Sequence, residues 1–167
     1  MEVMSLKRER IQEVVELLSK GKPYVLPHHD YVYWIMQGYF PSSNYVISDE
    51  NRIIGFICAL PSIDKKCYFI WQIVVDADYR GKKIATLLVN RIIEEAKLKG
   101  YNKLELTINS DNRASFKLFE HTANEHSSSL KKIGEYKYKE LNEIVYSIDL
   151  VPDAAGEILH KCKDCLI

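Results

Sequence analysis

Residues 69–85 read FIWQIVVDADYRGKKIA, and this stretch decides the fold. Its first seven residues are apolar except for Gln72, which predicts a central, buried β-strand. The basic turn Arg80-Gly81-Lys82-Lys83 follows and opens a helix. Backbone N–H groups at the start of a helix lack partners within that helix, and the helix dipole adds positive charge there. The stretch therefore predicts a turn that binds a pyrophosphate, although an ordinary strand-to-helix turn with solvated lysines has the same local pattern.

The remaining elements follow from hydrophobic periodicity and from turn residues. In chain order they are helices over 6–20 and 31–39, strands over 44–48, 52–60 and 67–75, a helix from 82 or 83 to 99, a strand over 102–108, a helix over 113–125, and strands over 130–138 and 144–150. Asp30 and Asn112 are the predicted N-caps of two of these helices. The strand–helix–strand unit over 67–108 predicts a right-handed parallel crossover.

Composition limits the range of functions. The 167 residues predict one domain over 1–150 and a C-terminal tail over 151–167. The 23 basic and 23 acidic side chains balance, which argues against nucleic-acid binding. No apolar run is long enough for a membrane span, and the N-terminus lacks the apolar core of a signal peptide, so we expect a cytoplasmic protein.

The four cysteines do not predict a metal site. Cys58 and Cys67 lie in apolar runs, and we expect both to be small core residues. Cys162 and Cys165 form a C-x-x-C near the end of the chain, with His160 beside it. This cluster offers three ligands at most, whereas a zinc site usually needs four.

Two motifs carry a resemblance to a known family. Arg80 and Ala85 occupy the first and last positions of Gln/Arg-x-x-Gly-x-Gly/Ala, and Lys83 takes the place of the central glycine. This pattern resembles motif A of the GNAT superfamily of N-acetyltransferases. The resemblance implies an α/β (α+β) GNAT fold: a mixed, mostly antiparallel central sheet with one parallel, splayed strand pair, flanked by helices. It also implies acetyl-CoA as cosubstrate and no metal.

The second motif, N-x-x-A-x-x-L-[YF], is motif B of the same family. Asn112, Leu118 and Phe119 match it, and Ser115 stands at the alanine position. Taken together, the resemblance implies a set of coenzyme-binding residues: Ile73, Val74, Val75, Arg80, Gly81, Lys82, Lys83, Ile84, Ala85, Asn112, Ser115 and Phe119. Within it, a backbone amide at Val74 or Val75 would receive the acetyl oxygen if a bulge forms near Gln72. An unbroken core strand is the alternative.

Three further segments resemble the diaminobutyrate acetyltransferases of ectoine synthesis. Their W-Q-[VI]-x-V, L-E-x-T-I and D-N-x-A-S segments read here as Trp71–Val75, Leu104–Ile108 and Asp111–Ser115. The resemblance implies acetylation of a small diamino acid. Those enzymes carry D-x-N-S where this chain has Leu26-Pro27-His28-His29, so the aspartate position is Leu26. A pocket for two ammonium groups should offer carboxylates, and this departure leaves the acceptor open.

Catalysis requires a base for the ammonium group and a proton source for the thiolate. Glu105 and Glu143 are candidates for the base, and a solvated strand face is the alternative for each. Phe119 stands where the family often has a tyrosine acid, so the donor must be another residue, and tyrosines of the last strands or second helix are candidates. We select Gln72, Glu105 and Tyr146 as catalytic candidates and Tyr31, Trp71, Thr107 and Glu143 as substrate-binding candidates.

The sequence thus predicts an N-acetyltransferase that moves acetyl from acetyl-CoA to a primary amine of a small molecule, with a 2,4-diaminobutyrate-like diamino acid as first candidate. Direct attack is expected, because no cysteine is placed to carry the acetyl group. A homodimer is expected from the resemblance and the apolar late strands. Two alternatives stay open: a protein or peptide N-acetyltransferase, and a catalytically inactive CoA-binding module, which the residues Lys83 and Phe119 would favour.

Overall fold

A computed structural model describes residues 1–64, 66–139 and 141–151. Its elements, in chain order, are β1 (Val3–Ser5), α1 (Ile11–Ser19), α2 (Asp30–Tyr39), β2 (Asn44–Asp49), β3 (Arg52–Ser62), β4 (Cys67–Val75), α3 (Ile84–Leu98), β5 (Lys103–Asn109), α4 (Arg113–Glu125), β6 (Lys131–Tyr138) and β7 (Leu141–Asp149). Short 3₁₀ helices lie at Arg8–Arg10, Pro41–Ser43 and Ala77–Tyr79.

One seven-stranded sheet has the order β1-β2-β3-β4-β5-β7-β6. It is mixed and mostly antiparallel, with β4 and β5 as its parallel pair, and helices flank it. The predicted fold class is therefore confirmed. β4 and α4 have the predicted bounds, and β1 was not predicted because three residues carry no periodic pattern.

The chain divides into two compact units. The first comprises Met1–Leu60 with Ile70–Arg91, and the second comprises Pro61–Phe69 with the described residues from Ile92 onward. The core of the first unit joins side chains of α1 and α2 to those of the strands: Leu6, Ile11, Val14, Leu17, Leu18, Tyr33, Met36, Val46, Ile53, Phe56, Cys58 and Val74. The buried face of α1 consists of Ile11, Val14, Leu17 and Leu18.

In the second unit, β5 pairs with β7 in an antiparallel register. Leu104, Leu106 and Ile108 are buried, as the alternating pattern of β5 predicts. Their partners across the ladder are Ile148, Tyr146 and Ile144. β6 pairs with the other side of β7 and forms the edge of the sheet.

Some sequence predictions need correction. The N-cap of α2 is His29, whose Nδ1 accepts from the Tyr31 N–H, and Asp30 is the first helical residue. The first helix begins as a 3₁₀ turn at Arg8–Arg10 rather than at residue 6. The tail cysteines Cys162 and Cys165 lie outside the described residues. Among the residues that are described, no helix is long and apolar enough to cross a membrane.

Candidate active site

The turn after β4 combines two residues in left-handed backbone conformations. Gly81 has φ 77° and Lys83 has φ 61°. Glycine takes this conformation freely, whereas a residue with a Cβ pays about 1–2 kcal/mol for it. Lys83 therefore keeps the kind of backbone conformation that a glycine at its position would adopt at low cost.

The backbone of this turn exposes donors. The Lys82 N–H contacts the Tyr79 carbonyl at 3.4 Å, and the Leu87 N–H donates to the Lys83 carbonyl at 3.0 Å. In the described part of the chain, the N–H groups of Gly81, Lys83, Ile84 and Ala85 have no hydrogen-bond acceptor. Nothing lies within 4 Å of the place where a Cβ on Gly81 would stand. The turn can therefore offer several N–H groups to an anion at close range.

The first turn of α3 packs closely against β3 at Gly55. A Cβ at Gly55 would lie 2.7 Å from Cγ2 of Ile84 and 3.1 Å from Cδ1 of Leu88. Glycine at this position of β3 is therefore required for the first turn of α3 to approach the strand. This contact fixes the helix start that carries the exposed N–H groups.

Gln72 belongs to a hydrogen-bond chain whose central bond, from Tyr33 to Gln72, is buried. The Tyr33 hydroxyl accepts from the His28 N–H at 3.0 Å and donates to Oε1 of Gln72 at 2.9 Å. Nε2 of Gln72 then donates to the Leu26 carbonyl at 2.8 Å. Both amide atoms of Gln72 thus have protein partners, and the side chain is 8% exposed. These contacts hold the 26–29 loop against β4.

Burial raises the pKa of the Tyr33 hydroxyl, so this group stays neutral near pH 7. It therefore donates one hydrogen bond and accepts another, as the chain from His28 to Gln72 requires. No local sequence signal indicates this role of Tyr33, because its partner Gln72 is 39 residues away.

Trp71 and Tyr31 lie in different surroundings within the first unit. The His28 ring stacks on Trp71 with a centroid distance of 4.7 Å. Tyr31 is 59% exposed and stacks on Trp34 at 5.7 Å, and Arg8 lies over the Trp34 ring at 4.8 Å. Tyr31 and Trp34 help to line an open groove of about 440 Å³ between the start of α1 and α2.

The β5–β7 ladder separates the second-unit candidates onto two faces. Glu105, Thr107 and Asn109 lie opposite Ser147, Val145 and Glu143, so Glu105, Thr107 and Glu143 share one face. Tyr146 lies opposite Leu106 on the other face. There its ring meets Phe116 of α4 edge-on at 5.8 Å. Two catalytic candidates, Glu105 and Tyr146, therefore lie on opposite sides of the sheet.

The environment of Glu105 differs from a solvated strand face. Its residue is 8% exposed, whereas its neighbours Lys103 and Thr107 are exposed. Glu105 is therefore the buried carboxylate on the face of the ladder that it shares with Thr107 and Glu143.

α4 begins as predicted. Oδ1 of Asn112 accepts from the Ser115 N–H at 3.1 Å, which confirms the N-cap. Phe119 is buried. A groove of about 230 Å³ lies beside the start of α4, with Arg113, Phe116 and Lys117 in its lining. These three residues were not among the predicted site residues, although their i, i+3 and i+4 spacing places them on one helix face.

Neither described cysteine is placed for acetyl transfer. Cys58 and Cys67 are fully buried, as predicted. Burial raises the pKa of the Cys58 thiol to about 12, so the thiolate is scarce at neutral pH. Across residues 1–64, 66–139 and 141–151, no group of three or more His, Cys, Asp or Glu side chains could hold a metal ion.

The chain is similar to known acetyltransferases both in sequence and in fold. The chain is 30% identical over 128 residues to an L-2,4-diaminobutyric acid acetyltransferase of Shouchella clausii, covering 75% of this chain and 72% of that protein. Its fold resembles that of diaminobutyrate acetyltransferase EctA from Paenibacillus lautus, solved with L-2,4-diaminobutyric acid and coenzyme A. The TM-score is 0.78 at 24% identity, over 89% of this chain and 93% of that chain.

The same fold occurs in enzymes with other acceptors. The ribosomal-protein-S18-alanine N-acetyltransferase of Escherichia coli has a TM-score of 0.72 at 15% identity, over 92% of this chain and 96% of that chain. These structural likenesses establish the shared fold.

The family itself is matched directly, over residues 11–123. This confirms the expected enzyme class and the expected cosubstrate, acetyl-CoA. The chain belongs to the acetyltransferase (GNAT) family.

Proposed function

We propose that this protein transfers acetyl from acetyl-CoA to a primary amine of a small diamino acid resembling 2,4-diaminobutyrate. The turn after β4 carries the coenzyme half of the proposal. Its exposed N–H groups and its two left-handed residues form a cradle for the diphosphate, even though Lys83 replaces a glycine. The relatives named as diaminobutyric acid acetyltransferases support the acceptor half.

Coenzyme binding involves residues on several elements in this proposal. Arg80 and Lys82 add charge at the rim of the turn, and Val74 and Val75 supply a backbone amide for the acetyl oxygen. The coenzyme-binding roles of Asn112, Ser115 and Phe119 remain predictions, and the Phe119 side chain is buried. Acetyl-CoA supplies a thioester carbonyl that a neutral amine attacks. The bulge near Gln72 remains a prediction.

Deprotonation of the acceptor is assigned to Glu105. An alkyl ammonium has a pKa near ~10, so a base must remove its proton before attack. Glu105 is buried and shares its sheet face with Thr107 and Glu143. Thr107 and Glu143 are then placed to bind the acceptor on the same face as the base. Glu143 can pair with the second ammonium group of a diamino acid.

Protonation of the leaving thiolate is assigned to Tyr146. Tyr146 lies on the sheet face that packs against α4, whereas Glu105 lies on the opposite face. In the tetrahedral intermediate the nitrogen and the sulfur are bonded to the same carbon, so Glu105 and Tyr146 cannot both contact it directly from opposite faces of the β5–β7 ladder. One of the two proton transfers therefore passes through a bridging water.

A thiol-release assay with acetyl-CoA tests the function. The amine panel contains 2,4-diaminobutyrate, other diamino acids, polyamines and a peptide with a free N-terminus. We expect release with a small diamino acid, and a loss of about a hundredfold in kcat for Glu105→Gln. Glu120→Gln, an exposed carboxylate on α4, is the matched control and should retain activity. If no amine of the panel causes thiol release, and acetyl-CoA nevertheless stabilises the protein, the protein is an inactive coenzyme-binding module.

One observation favours a second candidate, acetylation of a peptide or protein. The groove beside α1 and α2 is open, and it carries the exposed aromatic residues Tyr31 and Trp34 next to Asp30. Such a surface can bind an extended peptide segment with a basic residue. In the same panel, release that occurs only with the peptide would establish this candidate instead.

The expected homodimer is also a proposal. Edge strand β6 exposes Ile133, Tyr136 and Tyr138, and exposed edge strands pair readily with other strands. Light scattering after gel filtration should give the mass of two chains, and a monomer at all concentrations would contradict the proposal. The cytoplasmic location likewise remains a prediction.

A further inference from the structure

The β2–β3 hairpin ends beside the segment that leads into the turn 80–83, hereafter the coenzyme turn. Asp49 and Arg52 are paired at the end of the hairpin. Glu50 and Asn51 form the connecting turn, with φ 45° and 67°, which is typical of a tight two-residue hairpin. This geometry places an acidic and a basic side chain next to each other at the hairpin end.

Both side chains contact the 3₁₀ helix Ala77–Tyr79. The Tyr79 hydroxyl donates to Oδ2 of Asp49 at 2.6 Å, a short hydrogen bond to a carboxylate. Nη1 of Arg52 lies 3.3 Å from Oδ2 of Asp76, and its guanidinium lies 5.8 Å from the Tyr79 ring centroid. The two ends of this 3₁₀ segment are therefore fixed by the same hairpin.

Asp76 is itself well anchored. Its side chain is 7% exposed, and Oδ1 accepts from the Asp78 N–H at 3.1 Å. Its own N–H donates to the Ile54 carbonyl at 2.8 Å. The start of the 3₁₀ segment thus has fixed contacts to β3, and Arg52 neutralises the charge of its buried cap.

The hairpin end is also held from its other side, by α1 and the turn before it. Nη2 of Arg10 donates to the Asn51 carbonyl at 2.8 Å, and Nη1 donates to Oγ of Ser48 at 2.8 Å. The Ile53 N–H donates to Oε2 of Glu13 at 3.3 Å. Hydrogen bonds to α1 and to the turn before it therefore hold the hairpin end in place.

Tyr79 transmits this support to the coenzyme turn. It directly precedes Arg80, its carbonyl is the acceptor for the Lys82 N–H, and Nζ of Lys82 lies 4.4 Å from its ring centroid. A change in the orientation of Tyr79 would move the backbone of residues 80–83. That backbone carries both left-handed residues and the exposed N–H groups.

We propose that Asp49, Arg52 and Tyr79 are positioning residues for coenzyme binding, which act by holding the turn 80–83 in the geometry that binds the diphosphate. The inference rests on the proposed function of that turn. It assigns a functional role to the hairpin, which lies outside both family motifs. It also predicts that these residues affect the affinity for coenzyme A and not the chemical step.

Tyr79→Phe tests the proposal, because it removes only the hydroxyl that reaches Asp49. We expect the Kd for coenzyme A, measured by calorimetry, and the KM for acetyl-CoA to rise about fivefold. The kcat and the KM for the amine should change less than about twofold. Tyr39→Phe is the matched control, because its hydroxyl has no hydrogen-bond partner among the described residues. An unchanged Kd in Tyr79→Phe would overturn the proposal.

A double-mutant cycle separates positioning from general stability. Asp49→Ala should raise the Kd for coenzyme A about as much as Tyr79→Phe, and the double variant should be no worse than either. Asp49→Asn keeps an acceptor oxygen and should recover most of the affinity. Fully additive losses would show that the two residues act separately, against the proposal.

Arg80→Ala distinguishes failure of this inference from failure of the proposed function. If Arg80→Ala leaves the Kd for coenzyme A unchanged, the turn does not bind the diphosphate. In that case both the proposed function of the turn and the role of the hairpin are wrong. If Arg80→Ala weakens binding but Tyr79→Phe does not, only the role of the hairpin is wrong.

Discussion

Lys83 is the residue at which this chain departs most clearly from the family pattern at the turn. Its φ of 61° is a conformation that a glycine would adopt without the steric cost of a Cβ. The chain therefore retains the turn geometry and accepts a local cost in stability. The departure in sequence does not become a departure in backbone structure.

Lys83→Gly should stabilise the protein. Removing the Cβ relieves the left-handed strain, and the added flexibility of glycine in the unfolded chain offsets part of that gain, which leaves about 0.5–1 kcal/mol. Urea denaturation measures the change. Lys82→Gly is the control, since Lys82 has no positive φ, and it should not stabilise. A lower free energy of unfolding in Lys83→Gly would contradict the strain argument.

Tyr33→Phe should have the opposite effect. The substitution leaves Oε1 of Gln72 without its hydrogen-bond donor in the buried interior, and such a loss costs about 1–3 kcal/mol. The half-buried His28 N–H also loses its acceptor. We expect a lower urea midpoint with an unchanged m-value. Tyr31→Phe, which alters an exposed ring, should leave the midpoint in place. A wild-type midpoint in Tyr33→Phe would mean that the hydroxyl is not needed to hold the loop.

At the scale of elements, local sequence signals predicted most of the architecture. The run CYFIWQIVV is apolar on both faces and bounded by turn residues, and β4 spans the same residues. Asn112 precedes an amphipathic segment, and α4 begins directly after it. Both predictions succeeded because strand and helix periodicity and N-caps are local properties.

The candidate site was less predictable, because its contacts join distant residues. Gln72 was selected as catalytic because an amide is unusual in an apolar strand. The structure gives that amide two partners, Tyr33 and the Leu26 carbonyl, which lie 39 and 46 residues away. The hydrogen bond from the Tyr79 hydroxyl to Asp49 likewise joins residues that are 30 positions apart. Such pairings depend on how the strands are ordered, which no local pattern specifies.

The ion pair between Arg10 and Glu13, beside the β2–β3 hairpin, should make stability depend on pH. Two hydrogen bonds of 2.7 Å from Arg10 lower the pKa of Glu13 below its ordinary value of 4.5. A carboxylate whose pKa is lower in the folded chain than in the unfolded chain contributes its full stabilisation at pH values above the unfolded-state pKa. Its contribution is lost as pH falls through the folded pKa.

Glu13→Gln should therefore flatten the acid limb of the stability curve. Below about pH 4.5, the wild type should lose stability more steeply than the variant, and the two curves should converge. Urea midpoints at a series of pH values measure this. Glu16→Gln, an exposed carboxylate on the same helix, should keep the wild-type slope. Parallel curves for wild type and Glu13→Gln would contradict the assignment.

At the scale of the whole molecule, the balance of charge constrains how an anionic coenzyme is recognised. The chain carries 23 basic and 23 acidic side chains, so no large net charge attracts a polyanion over long distances. Affinity for the phosphates must come from groups that touch them. Exposed backbone N–H groups at the start of α3 can offer such short-range contacts, and salt screens these less than it screens exposed charge pairs.

Acetyl-CoA should therefore raise the melting temperature, and salt should leave most of that rise intact. At about 100 times the Kd, binding stabilises the native state by about 2.7 kcal/mol, which corresponds to about 5–10 °C for a chain of this size. Differential scanning fluorimetry measures the shift at about 0.05 and 0.5 M NaCl. Pantetheine, which lacks the phosphates, is the control ligand and should give a much smaller shift. A shift that disappears at high salt would assign recognition to the surface lysines and arginines, and the backbone turn would then have no leading role.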